Sequence, residues 1–173
     1  AIGRVGDTLT VGSIGTVTTP NIVGTLKVLQ PLSAASTLTV TSNLNGKLDL
    51  NGVSAGSRVI VGSIPSTGIV TSDAPFAGSL EVTNALSGAV TLPSTTAGSQ
   101  IKVGTDLAGS ITTTGIMAGS INVGNFLTST GSITMGSSTA GGLAGQITVN
   151  TNRNANGAAW APSGGPSIKV RGS

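Results

Sequence analysis

The chain has 173 residues, a formal net charge of +3, 27 glycines, 8% charged and 2% aromatic side chains, and no Cys, His or Tyr. Without His or Cys, the commonest transition-metal ligands, disulfides, and Ser-His or Cys-His nucleophile pairs are excluded. A hydrophobic share of 38% and a mean hydropathy of +0.35 argue against intrinsic disorder, and the length suits one domain.

In chain order, residues 1–36 read as irregular N-terminal rungs. Short alternating strands are visible at Leu9-Thr10-Val11 and Leu26-Lys27-Val28, with Pro20 and Pro31 loosening the spacing. Residues 37–140 are a regular repeat. Ala-Gly-Ser recurs at Ala55, Ala77, Ala97, Ala108 and Ala118, running into strands such as Val59-Ile60-Val61, Leu80-Glu81-Val82, Ile101-Lys102-Val103 and Ile121-Asn122-Val123. A second series lies between them, including Leu48-Asp49-Leu50, Val90-Thr91-Leu92, Ile111-Thr112-Thr113 and Ile133-Thr134-Met135. Residues 141–173 form a C-terminal rung with an Asn-rich stretch, a Trp160-containing loop that reads first as a cap over the last rung's open apolar end and otherwise as an assembly contact, and a last strand at Ile168-Lys169-Val170.

Like strands recur about every 21 residues, and two connector types alternate. The apolar period is two, β-branched residues abound, and Gly or Pro interrupts about every ten residues, which leaves little room for helix. The pattern predicts an all-β fold: a single-stranded parallel β-solenoid (β-helix) with about 21 residues per rung, two main strands and about eight rungs. A three-strand rung of about 31 residues and an antiparallel sandwich are the alternatives. A sandwich, however, does not require the same connector to return every second strand.

At a uniform period of about 21, the aliphatic residues stack into interior ladders: Val59, Leu80, Ile101 and Ile121 beside Val61, Val82, Val103 and Val123. Glycines 56, 78, 98 and 119 would stack as well. The outward columns read Ile60, Glu81, Lys102, Asn122 and Asp49, Val70, Thr91, Thr112, Thr134, placing Glu81 beside Lys102.

The acids Asp7, Asp49, Asp73, Glu81 and Asp106 do not stack on one another in this register. Asp73 and Asp106 fall in connectors, where turn capping is the ordinary role. Paired catalytic carboxylates and a calcium ladder are therefore not expected, and the chain is read as no enzyme, with no cofactor and no metal. The eight bases are scattered with few aromatics between them, so no nucleic-acid partner is expected. No apolar run approaches the ~18 residues of a membrane span, so no membrane insertion is expected. Thr91, Thr112 and Thr134, with Thr148, form one partial threonine column, which raises ice binding as a third functional reading behind the two below.

The segment Gly141-Gly-Leu-Ala-Gly-Gln-Ile-Thr-Val-Asn, with the Asn-rich stretch and Trp160 after it and the Ala-Gly-Ser-Ile and Gly-Ser-Ile-Thr units before it, resembles a known class. It is similar to the repetitive Gly/Ser/Thr-rich right-handed β-helix segments of large bacterial surface proteins, including those of planctomycetes. The resemblance implies a secreted or cell-surface role and carries no catalytic residues.

A solenoid exposes free sheet edges at its first and last rungs. The leading expectation is a structural subunit of an extracellular or cell-surface filament or sheath. It would assemble with itself by head-to-tail stacking, with Leu9, Val11, Trp160, Ile168 and Val170 as assembly contacts. The alternative is a rod-like adhesin or a module binding a surface glycan, with Trp160 as the aromatic anchor.

Overall fold

The computed structural model describes residues 3, 5–136, 143–150 and 167–171, the last by backbone alone; Trp160 lies outside the described residues. Strands follow one another without a helix among the described residues. In order they are β1 (Thr8–Val11), β2 (Thr16–Thr19), β3 (Thr25–Val28), β4 (Thr37–Asn43), β5 (Lys47–Leu50), β6 (Arg58–Ser63), β7 (Ile69–Ser72) and β8 (Ser79–Val82). They continue as β9 (Ala89–Leu92), β10 (Gln100–Val103), β11 (Ser110–Thr113), β12 (Ser120–Val123), β13 (Ser132–Gly136), β14 (Gln146–Val149) and β15 (Ser167–Arg171).

The odd strands β1 to β15 form one eight-stranded sheet in sequence order, and the even strands β2 to β14 form a seven-stranded sheet. All pairings are parallel. The chain is a β-solenoid in which each coil contributes one strand to each sheet. The two-strand rung is thereby established. Two further columns of single-residue bridges run along the corners, one through Leu32, Val53, Phe76, Thr95, Met117 and Leu143, the other including Ile64, Leu86, Leu107 and Leu127.

The strands form because most present two aliphatic side chains to one face and small or polar ones to the other, with Thr19, Ser72 and Thr113 taking one inward place on β2, β7 and β11. Val59, Leu80, Ile101 and Ile121 are register partners in succession, as are Val61, Val82, Val103 and Val123, and all are buried. Each such side chain contributes ~1.5–3 kcal/mol by burial, and this narrow aliphatic core replaces the aromatic centre the composition lacks. The one fully buried ring among the described residues, Phe76, sits between Val53 and Thr95, so a bulky residue is flanked by smaller ones along its column.

The coil length is not uniform, and this corrects two expectations. Lys47 faces Ile69 after 22 residues, whereas Ile69 faces Ala89 after 20. Asp49 therefore lies beside Thr71, not Val70; Val70 points inward between Leu48 and Val90 and is fully buried. The cause is local. The corner from Ile64 to Ile69 is two residues longer than that from Leu44 to Lys47, and an irregularity between Val40 and Asn43 takes one residue back.

The second correction concerns the glycines. Ser79 pairs with Arg58 and with Gln100, so Gly78 stacks on Ser57 and Ser99, not on Gly56 and Gly98. In the corner leading into the seven-stranded sheet, the column reads Gly15, Ser36, Ser57, Gly78, Ser99, Gly119 and Gly145. Each carbonyl from Gly15 to Gly119 accepts the amide that opens the next strand in that sheet, at 2.9–3.1 Å. The true glycine stack lies in the opposite corner, at Gly24, Gly46, Gly68, Gly88, Gly109 and Gly131. A Cβ on any of these would press on backbone carbonyl oxygen of the preceding coil.

Candidate functional site: the two end coils

The outward faces are assembled from the same register. On the seven-stranded sheet, Glu81 accepts from Lys102 at 3.0 Å, as the sequence suggests, and also from Arg58 at 3.0 Å, a diagonal neighbour the simple column missed. The Lys102 hydrogen bond is the main cause that holds the Glu81 carboxyl below its ordinary range, with Arg58 assisting against partial desolvation. On the eight-stranded sheet, burial pushes the Asp49 carboxyl up. The Thr71 hydroxyl at 2.7 Å, Lys47 at 3.3 Å and Lys27 at 3.6 Å outweigh it, and the net shift is downward. Asp106 accepts from the Asn125 side-chain amide at 2.8 Å and the Phe126 backbone amide at 3.2 Å, tying one corner to the next. These carboxylates are consumed by neighbours that hold coils in register.

Threonines 71, 91, 112 and 134 form a continuous outward column on the eight-stranded sheet. Thr148 is not part of it: it pairs with Asn122 in the other sheet, and Thr71 takes its place in the run. Beside this column lies a shallow groove of about 390 Å³, lined by Ile69, Gly88, Ala89, Ser110 and Ser132 among others. Among the described residues there is no cluster of three or more His, Cys, Asp or Glu, and no helix long and apolar enough to cross a membrane.

Among the described residues, the pairing pattern stops at two places. At one end, β1 and β2 are the outermost strands of their sheets; at the other, β15 and β14 are. A strand at a sheet edge has a row of amides and carbonyls with no strand partner on one side. Leu9 and Val11 on β1, with Val17 on β2, are only partly buried, while the residues they pair with (Leu26, Val28 and Leu38) are fully covered. Ile147 and Val149 on β14 are partly buried in the same way at the far end. Ile168 and Val170 occupy the register positions opposite Ile133 and Met135 on β15. The structure thus brings Leu9 and Val11 together at one end and places Ile168 and Val170 at the other. Trp160 falls outside the described residues.

Three end residues, Val17, Ile147 and Val149, were absent from the expected contact set. The signal was available, since Thr16-Val17-Thr18 and Gln146-Ile147-Thr148-Val149 alternate like every other strand. It becomes an end signal only when the sheets show which strands lack a neighbour.

Glycine packing also separates the first described coil from the rest. In the coils after the first, each described glycine with no positive φ has protein atoms against the place a Cβ would occupy. Gly3, Gly6, Gly12 and Gly15 have nothing within 4 Å there. Of these four, Gly15 stands in the same column as Gly78, Gly119 and Gly145, where a Cβ would meet the carbonyl of the coil before.

Comparison with protein-family models, with curated proteins and with solved structures returns no match to this chain.

Proposed function

We propose that this chain is a structural subunit that stacks end to end with further copies of itself, forming a filament or sheath outside the cell or at its surface. The observation that carries the proposal is the partial exposure of aliphatics on the outermost described strands: Leu9, Val11 and Val17 on β1 and β2, and Ile147 and Val149 on β14. The two ends are complementary in chemistry and polarity. A copy translated along the axis sets its β1 beside the previous copy's β15, with Leu9 in the column that runs to Ile168 and the strands still parallel; the other sheet, one strand shorter, has room for one further strand between β14 and the incoming β2. The contact is heterologous and does not close on itself, so it propagates into a filament. The location outside the cell rests on the resemblance to bacterial surface β-helix segments.

Leu9→Lys tests this. Leu9 is only partly buried in the single chain, so folding should persist with a loss of ~1–2 kcal/mol. At the joint the ammonium would be buried in an aliphatic column without a partner, and fibres seen by electron microscopy for the unmodified chain are lost or sharply shortened. Fibres of equal length and number from both proteins would contradict the proposed joint.

A second reading is a rod that presents its threonine column and the adjoining groove to a glycan or surface. The observation favouring it is the small, regular face formed by Thr71, Thr91, Thr112 and Thr134. Saturable binding on a glycan array by chains that remain monomeric would favour that reading over the first.

A further inference from the structure

Asn-Gly occurs at Asn45, Asn51 and Asn156. Asn156 lies outside the described residues; the other two flank β5 and are held differently. After Asn45, the Gly46 amide donates to the Ile22 carbonyl of the coil before at 3.0 Å, and a Cβ at Gly46 would overlap the Gly24 and Val23 carbonyl oxygens. After Asn51, the Gly52 amide has no hydrogen-bond partner among the described residues, although Gly52 is buried, with φ at 100°. An unpaired buried backbone amide is rare. The Asn51 side-chain amide donates to the Leu29 carbonyl at 2.7 Å, at an exposed place where water can replace it.

We propose that Asn51-Gly52 is a site of spontaneous covalent modification, converted in the folded chain to aspartate and isoaspartate, while Asn45-Gly46 is protected by its contacts with the coil before. The Gly52 nitrogen attacks Cγ of Asn51. The N–Cγ bond forms, the Cγ–Nδ2 bond breaks, and the Gly52 amide proton leaves with Nδ2 as ammonia. Water then opens the five-membered imide at either carbonyl, giving aspartate or isoaspartate. Glycine permits the attack because no Cβ shields its nitrogen. The imide nitrogen carries no hydrogen. At Gly52 this forfeits nothing, whereas at Gly46 the bond to Ile22 is given up inside a packed corner. The product alters the corner it forms in. A carboxylate replaces the amide that ties Asn51 to Leu29, beside Asp49 and Asp73 in a shallow pocket of about 210 Å³ that Lys27 also lines. Isoaspartate further adds a backbone atom to the tight corner between Leu50 and Val53. Both products loosen the bonding between coils there as the protein ages, independently of any end-to-end stacking.

The test holds the 173-residue chain at mildly alkaline pH, folded in one arm and in chemical denaturant in the other. Cleavage at Lys27, Lys47 and Arg58 then puts Asn45 and Asn51 in separate peptides, and mass spectrometry reads the conversion of amide to acid in each. In the folded chain Asn51 should convert roughly tenfold faster than Asn45, about what one hydrogen bond between coils is worth. In denaturant the two rates should come within about threefold of each other, because the coil contacts are gone. Asn51→Gln, which would need a six-membered ring, should abolish conversion in its peptide. A folded-chain rate at Asn51 equal to or below that at Asn45 would overturn the proposal. So would a tenfold gap that persists in denaturant, since it would trace to local sequence alone. Asn51→Asp, which stands for one product, should lower the unfolding midpoint at neutral pH by about 2–4 °C, the worth of one hydrogen bond in a chain of this size. An unchanged midpoint would overturn the loosening while leaving the modification in place.

Discussion

The two corners of each coil solve one geometric problem in different ways. Leading into the eight-stranded sheet, the chain passes so close to the coil before that only hydrogen fits, and glycine holds the place from Gly24 to Gly131. Leading into the seven-stranded sheet, serine and glycine share the place, and the loop compensates. Where the column residue is Ser36, Ser57 or Ser99, the corner is two residues longer than at Gly78 or Gly119. It also passes through a left-handed residue: Ala35 at φ 65°, Gly56 at 80° or Gly98 at 85°. The buried Ser57 and Ser99 hydroxyls then donate to the Ser54 and Thr96 carbonyls at 2.6 and 2.8 Å. One corner tolerates no side chain at its column; the other accepts one by lengthening. Coil length can vary by a residue or two without disturbing the strands, because the corners absorb it.

That contrast can be broken experimentally. Gly109→Ala places a methyl on the carbonyls of Ser87 and Gly88, which cannot move without pulling their own ladder apart. The expected loss is ~3 kcal/mol, the upper range for overpacking, read from chemical denaturation. Gly98→Ala meets no atom within 4 Å and forces only a left-handed alanine, so its loss should be smaller, ~1–2 kcal/mol. Equal losses for the two would mean the corners are not different in kind.

A subtler expectation concerns the core. Thr113 is buried at the place where the flanking coils put Leu92 and Met135, and its hydroxyl has no hydrogen-bond partner among the described residues. Thr113→Val removes an unpaired polar group at nearly constant volume and should stabilise by ~1 kcal/mol, seen as a raised unfolding midpoint.

The smallest effect is electrostatic. Asp49 and Glu81 titrate lower in the folded chain than their ordinary 3.8 and 4.5. Their contribution is therefore fully present above those ordinary values and is lost as pH falls through the lowered folded ones. Stability measured from pH 6 downward should be flat at first and then decline below about pH 4.5. Lys102→Met should flatten part of that decline. An unchanged acid profile in Lys102→Met would show that the Glu81 pair contributes nothing.

The same contrast explains what was legible in the sequence. The strands and interior ladders were, because alternation of β-branched residues has one physical outcome, a pleated strand with one buried face. The pairing of Glu81 with Lys102 followed, since β8 and β10 are 21 residues apart and the period held there. What was misplaced lay downstream of the corners. Val70 turned inward, Gly78 stacked on Ser57, and Thr148 belonged to the other sheet. Ala-Gly-Ser is a single motif in sequence but serves two conformations. In Ala55-Gly56-Ser57 it ends a long corner before the strand; in Ala77-Gly78-Ser79 its serine already opens the strand. Identical residues therefore sit one step out of register. The end surfaces were partly legible: Leu9 and Val11 could be named as early strand residues, but Val17, Ile147 and Val149 stand out only once the sheets show which described strands are outermost.

The most direct test of the central claim is sedimentation velocity of the unmodified chain over a concentration series. End-to-end stacking predicts a growing set of elongated species, each longer than the last by one subunit, with none favoured as a closed ring. A single species of monomer mass at every concentration would contradict it.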